Sequence, residues 1–248
     1  MLFRSDTHAG RGVYDLASDE AQKTGEFRHG IGLFYGREDD VIADYLAVVG
    51  LCNEGLSGLS RYPGSPLIAQ RLLRASDRIF LTELHPGENA LLRDCFARAR
   101  NVTIEKADGL QRMVDCVPPP ERRGLVLIDP SYEVKSEYAA VASQVVRAWK
   151  KWPQGQFVIW YPLLETGLHG SLLRALRAGG VRDVLVSEIR LRTPAESSFR
   201  MRGTGLAIVN PPFGFEAALA VMTRHIADGL SKDADRSVFW LDNLPAED

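Results

Sequence analysis

The stretch Gly124-Leu125-Val126-Leu127-Ile128, running straight into Asp129-Pro130-Ser131-Tyr132, decides how this chain is read. An apolar run without alternation predicts a strand buried on both faces, as in a parallel sheet covered by helices. Sheets of that kind bind ligands beyond the carboxyl ends of their strands, which places Asp129 and Tyr132 at the mouth of a crevice. Taken alone, Asp, Pro and Ser make an ordinary turn. What gives the tetrapeptide chemical meaning is the order of elements around it.

Upstream, Ile79 to Thr82 read as a short strand ending at Glu83, Gly87 to Ala99 as a helix, Val102 to Glu105 as a strand leading to Asp108, and Leu110 to Val117 as a helix. Downstream, Tyr138 to Trp149 and Glu165 to Ala178 read as helices, with strands at Gln156 to Tyr161, Arg182 to Leu191 and Gly205 to Val209. Alternating strands and helices predict an α/β fold with a mostly parallel, doubly wound sheet. Leu2 and Phe3 leave too little apolar sequence for a proper strand before the glycine turn Asp6-Thr7-His8-Ala9-Gly10-Arg11-Gly12, so the first strand is expected to be clipped. Residues 18–75 lack the strand-helix rhythm and are expected to form an inserted, largely helical subdomain. Residues 1–17 and 76–248 then form the core.

The 248 residues suffice for one substantial core, and 45% hydrophobic with 25% charged residues is ordinary for a globular protein. A net charge of -2 disfavours a polyanionic partner without excluding a local basic face. Cys52, Cys95 and Cys116 are odd in number and lack metal-ligand spacing, so no metal is expected and buried thiols in a reducing cytoplasm are. No apolar stretch approaches the roughly 20 residues of a membrane span.

Asp6, Glu83, Asp108 and Asp129 all fall at or just after strand ends, where a doubly wound sheet makes them converge. Glu83 can accept both hydroxyls of a ribose, Asp108 an adenine amine, and Gly10 lets the backbone approach a ligand without a Cβ clash. His8 can meet the amino-acid end of the same molecule, which would then be S-adenosylmethionine. Each acid could equally cap the helix that follows it. A dinucleotide is disfavoured, because the three-glycine fingerprint is absent and the ribose acid lies far beyond the usual 20 or so residues.

The tetrapeptide suits adenine N6, a nitrogen whose lone pair is delocalised into the ring. Asp129 can accept one N6 proton and the Pro130 carbonyl the other, while Tyr132 can stack on the extruded base. A second match, Asn210-Pro211-Pro212-Phe213 after Gly205 to Val209, comes too late in the chain and is read as a structural turn.

Together Asp6-Thr7-His8-Ala9-Gly10, Tyr62-Pro63-Gly64-Ser65-Pro66-Leu67-Ile68-Ala69, Thr82-Glu83-Leu84-His85-Pro86, Glu105-Lys106-Ala107-Asp108-Gly109, Arg122-Arg123-Gly124-Leu125 and Trp160-Tyr161-Pro162 resemble RlmJ, the bacterial 23S ribosomal RNA adenine-N6-methyltransferase family. The resemblance implies a class I, Rossmann-like methyltransferase with a helical insertion that uses S-adenosylmethionine. It also implies cofactor contacts at His8, Ser65, Glu83, Asp108, Gly109 and Asp129, with Asp129 as the catalytic acceptor beside Pro130 and Tyr132. The family has an N-terminal stretch, with Tyr-Arg-His and His-Ala-Gly-Asn elements, that this chain lacks; weak cofactor binding is therefore expected. It also has proline at Ser131, and serine relaxes the loop that presents the Pro130 carbonyl.

The expected partner is 23S ribosomal RNA, free or incompletely assembled, met by a cytoplasmic monomer. Arg190, Arg192, Arg200 and Arg202 are candidates for its phosphates, with Lys150, Lys151, Arg174 and Arg177 elsewhere. Solubility alone would also account for these arginines. Methylation of adenine in DNA, and a non-catalytic RNA-binding relative, are the alternative functions.

Overall fold

The computed structural model of the protein describes residues 2–191 and 201–243. In chain order the elements are β1 (Phe3–Asp6), β2 (Val13–Asp15), α1 (Asp19–Thr24), α2 (Glu26–His29), α3 (Ala43–Cys52), β3 (Arg61–Pro63), α4 (Ser65–Leu72), β4 (Arg78–Thr82), α5 (Pro86–Cys95) and β5 (Val102–Glu105). There follow α6 (Gly109–Cys116), β6 (Gly124–Ile128), α7 (Glu137–Lys151), β7 (Gln156–Leu164), α8 (Leu168–Ala178), β8 (Val184–Arg190), β9 (Met201–Val209), α9 (Phe215–Leu230) and β10 (Asp235–Trp240). Among the described residues, eight strands form one sheet in the order β10-β8-β9-β7-β6-β1-β4-β5.

The half from β7 to β5 is parallel and the half from β9 to β10 antiparallel. Apolar runs build the centre: Val126, Ile128, Phe157 and Ile159 are fully buried against Val141 and Val145 of α7 and Leu172 and Leu176 of α8. On the opposite face α9 covers β8 and β9 through Leu219, which packs with Leu185 and Ile208.

The first strand corrects the sequence reading. Phe3 to Asp6 pair on both sides, Phe3 with Arg78 and Gly124, and Asp6 with Leu81 and Leu127, so a strand of 4 residues occupies the middle of the sheet. Its sequence, Phe-Arg-Ser-Asp, carries no apolar run, because strength here comes from two ladders of backbone hydrogen bonds. The ladder extends through Asp77, whose Oδ1 accepts from the Leu2 N–H at 2.7 Å.

Residues between β1 and β4 leave the sheet. Strands β2 and β3 form an antiparallel ribbon, with α1, α2 and α3 between them. Helix α4, assigned by sequence to this insertion, instead packs on the sheet through Leu67, Ile79 and Leu81. Asp39 anchors the insertion to α9 by accepting from His225 at 2.5 Å.

Helix α9 and strand β10 were not anticipated. The charged start of β10, Asp-Arg-Ser, belongs to an edge strand paired, among the described residues, only with β8, and such edges do not show the pattern of a core strand.

Asn210 and Asp129 lie at opposite edges of the sheet. Strand β9 runs against β7, so Val209 sits opposite Phe157 at the start of β7, whereas Ile128 pairs with Ile159. Asn210 Nδ2 donates to the carbonyls of Pro153 and Gly155, both at 2.7 Å, and so locks the turn before β7. Asn210→Ala should therefore lower stability by about 1–2 kcal/mol, read as a shifted urea midpoint with an unchanged slope.

Candidate active site

The carboxyl ends of β1, β4, β5 and β6 lie side by side, and backbone bonds carry their ladders into the loops beyond. Thr7 N–H donates to Leu127 O at 3.1 Å, Ala9 N–H to Thr82 O at 3.0 Å and Glu83 N–H to Glu105 O at 3.1 Å. These bonds fix the turn Thr7–Gly12 over the strand ends.

Asp6 is the hub, 5% exposed. Its Oδ1 accepts from the His8 N–H at 3.1 Å and its Oδ2 from Ser65 Oγ at 2.6 Å, so the first residue of α4 is drawn to the end of β1. Glu83 closes the turn from the other side, Oε2 accepting from Gly10 N–H at 2.8 Å and Oε1 from His85 N–H at 2.7 Å. Gly10 sits at φ 61°, where a side chain would be strained. The ring Nδ1 of His8 meets Thr7 Oγ1 at 2.7 Å.

Asp108 caps α6, its Oδ1 accepting from Gln111 N–H at 3.0 Å. Gly109 follows because nothing larger fits: a Cβ there would lie 1.8 Å from the Thr7 carbonyl oxygen. The structure thus places His8, Gly10, Ser65, Glu83, Asp108 and Gly109 at one edge of the sheet.

Asp129 follows β6 at the same edge and opens to solvent along the crevice. The surrounding protein, and to a lesser degree the Asp6 carboxylate, push it up to about 6. Burial likewise lifts Asp6 to about 6, with Glu83 adding to the rise while Ser65 and the His8 N–H oppose it. His8 is pulled down by burial, against the field of Glu83 and Asp108. The crevice is therefore rich in carboxylates, and two of them, Asp6 and Asp129, are costly to ionise.

Tyr132 departs from expectation. Its ring is 6% exposed, packed 4.4 Å from Tyr138, and its hydroxyl donates to the Trp160 carbonyl at 2.9 Å. A ring committed to the core supports the reaction loop from beneath and offers no open face to a base. Pro130 is also buried, while Ser131 is exposed.

The basic residues divide. Arg190 donates to Glu188 at 3.1 Å and Arg202 to Glu165 at 3.0 Å; Arg192 and Arg200 lie outside the described residues. Lys150, Lys151, Arg174 and Arg177 fall toward the ends of α7 and α8, helices that run back to the far edge of the sheet. Sequence reasoning also missed Arg11, whose guanidinium pins the glycine turn to Glu88 of α5 at 2.8 and 2.6 Å. No local pattern announces a partner 77 residues away.

A parallel half-sheet feeding a carboxylate-lined crevice, continued by late antiparallel strands, defines the class I S-adenosylmethionine-dependent methyltransferase fold. The sequence matches, over residues 1–242, the family described as ribosomal RNA large subunit methyltransferase D, RlmJ. A ribosomal RNA large subunit methyltransferase J from Haemophilus influenzae is 37% identical over 244 residues, covering 97% of this chain and 86% of the relative. One of the same description from Escherichia coli is 40% identical over 213 residues, covering 85% and 75%. The crystal structure of a Legionella pneumophila protein superposes with a TM-score of 0.88 at 31% identity, over 96% of this chain and 88% of that one. The chain belongs to the RlmJ family.

A buried carboxyl with a raised pKa keeps its proton in the folded state after the unfolded chain has lost it. As pH rises from about 4 to 6, the ligand-free protein should therefore lose stability through Asp6, on the order of 2–3 kcal/mol. Asp6→Asn should flatten that loss in urea titrations run across the interval.

Proposed function

We propose that the protein transfers a methyl group from S-adenosylmethionine to N6 of an adenine in 23S ribosomal RNA. Family membership supports the reaction and the class of substrate. The observation that carries the chemistry is the position of Asp129, open to the crevice at the end of β6 and within the field of Asp6 on the neighbouring strand.

The donor set suits a cationic nucleoside. Asp6, Glu83, Asp108 and Asp129 supply negative charge, and burial holds His8 toward its neutral form. When bound, S-adenosylmethionine supplies a methyl group made electrophilic by the sulfonium. Glu83 keeps its second lone pairs for ribose hydroxyls, because each oxygen already accepts one backbone N–H. Asp108 uses one oxygen as a helix cap, and its other oxygen would accept from the adenine amine of that nucleoside. His8 and Gly10 would hold its amino-acid end, and Ser65 keeps Asp6 in place.

At the acceptor, ionised Asp129 and the Pro130 carbonyl each take one N6 hydrogen as a hydrogen bond. That withdraws the nitrogen lone pair from the ring and aims it at the incoming methyl. After transfer, Asp129 is positioned to take the proton that the quaternised nitrogen must lose. Tyr132 and Trp160 hold this loop at fixed depth through the bond between hydroxyl and carbonyl. The structure describes no helix long and apolar enough to cross a membrane.

The direct test is incorporation of labelled methyl into unmodified 23S RNA followed by nucleoside mass spectrometry, with DNA as competitor. N6-methyladenosine in the RNA is expected; product only in DNA would overturn the substrate assignment. Asp129→Asn should lower kcat on the order of 10²–10³-fold while cofactor affinity changes far less. Because Asp129 acts ionised, kcat/KM should rise with pH through a midpoint near 6 that belongs to the Asp6–Asp129 pair. The kcat midpoint should fall lower, since a bound cation favours both carboxylates.

A further inference from the structure

Charge is unevenly divided along this chain. Residues 13–63, from β2 to β3, hold nine acidic and four basic side chains, a net charge of -5, while the rest of the chain carries +3 and brings the whole to -2. A segment of that sign repels phosphates and attracts a basic partner.

The same segment encloses a cavity of about 440 Å³, walled by Tyr14, Leu16, Phe27, Ile31, Tyr45 and Tyr62. Its walls are fixed before anything enters. The hydroxyls of Tyr45 and Tyr62 meet at 2.8 Å and tie α3 to β3, and Asn53 Oδ1 accepts from the N–H groups of Ser60 and Arg61, both at 2.8 Å. Gln22 Nε2 donates to the Leu16 carbonyl at 2.6 Å, which ties α1 to the end of β2. A ligand entering such a space loses little to ordering of the protein.

The lining selects a cation. The face of an aromatic ring is electrostatically negative, and four rings share this cavity. Two of them already hold a guanidinium over one face, Arg28 over Phe27 at 5.3 Å and Arg11 over Tyr14 at 5.5 Å. Glu26 adds to the lining an exposed carboxylate that has no hydrogen-bond or ion-pair partner among the described residues. Tyr14 also sets the cavity beside the crevice, since a Cβ on Gly10 would lie 2.3 Å from its hydroxyl.

We propose that this cavity is the docking site for an arginine-rich protein segment. One arginine enters between the rings, its aliphatic stem against Leu16 and Ile31 and its guanidinium paired with Glu26, while the acidic surface of residues 13–63 receives the flanking cations. Arginine suits the place because a planar guanidinium can stack on a ring and pair with a carboxylate at once. The site holds whichever nucleic acid receives the methyl group, and it brings a basic partner next to the glycine turn.

The test is calorimetric titration of the full chain with an octa-arginine peptide at about 0.15 M salt, where only short-range charge contacts survive screening. Four variants are compared: Phe27→Leu, Glu26→Gln, Tyr45→Phe and Glu54→Gln, the last removing an exposed charge outside the cavity. Phe27→Leu should weaken binding about fivefold and Glu26→Gln about threefold. Tyr45→Phe and Glu54→Gln should bind like the parent. A parent protein that does not bind the peptide overturns the proposal. So does binding that Glu26→Gln and Glu54→Gln weaken equally, which would mean attraction to acidic surface in general. If Phe27→Leu loses the parent's cooperative urea transition, Glu26→Gln against Glu54→Gln decides. Oligoadenylate that displaces the peptide, and itself binds Phe27→Leu more weakly than the parent, would make the cavity an RNA subsite and overturn the proposal as well.

Discussion

Everything in the crevice hangs on a strand of 4 residues, β1, being held between β4 and β6. The strand has little apolar substance of its own, and its two ladders of backbone hydrogen bonds replace what a longer apolar run would contribute. Its last residue, Asp6, then draws in both the glycine turn and helix α4. Because Thr7 and Ala9 continue the ladders toward Leu127 and Thr82, the turn that carries His8 and Gly10 has no freedom to drift from the acids of β4 and β6. Site geometry is thus a direct extension of sheet register.

The electrostatics follow from that convergence. Strand ends that meet bring carboxylates together; burial makes Asp6 reluctant to ionise, and the protein around Asp129 together with the Asp6 carboxylate does the same for Asp129. In the protein alone this is a cost to stability at neutral pH. A ligand carrying a sulfonium or an ammonium reverses it, since the same carboxylates become its counter-charges. The arrangement therefore favours a cation over a neutral analogue of similar shape, which for a methyl-transfer enzyme means favouring the charged donor over the spent, uncharged thioether.

Much of this was legible in the sequence, for reasons that can be named. Gly124 to Ile128 coincides with its strand because a buried parallel strand writes a continuous apolar run, and Val102 to Glu105 with its own because apolar Val and Ile alternate with polar Thr and Glu. The strand-end acids were found because topology, once inferred, dictates where strand ends go. Strand β1 was underrated because Arg4, Ser5 and Asp6 have polar side chains and its support comes from backbone partners more than 70 residues away. Strand β10 was missed for the charge that an edge tolerates, and the depth of Tyr132 because a one-dimensional motif says nothing about which side of a loop its aromatic residue takes. A positive φ of 54° at Tyr132 turns the ring beneath the loop. Sequence gives the composition of a motif, but burial is decided by neighbours such as Tyr138 and Trp160.

The distribution of charge bears on how RNA can be held at all. The chain carries a net charge of -2, Arg190 and Arg202 are engaged with glutamates, and the lysines that end α7 lie at the far edge from the crevice. Phosphate neutralisation dominates most nucleic-acid binding and makes it steeply salt-dependent; among the described residues the exposed Lys106 and Lys135 lie on the loops at the crevice and can contribute to it. Selection of the base rests on stacking and on hydrogen bonds to its edge. Such contacts require the nucleotide to be already unpaired, or cheap to unpair.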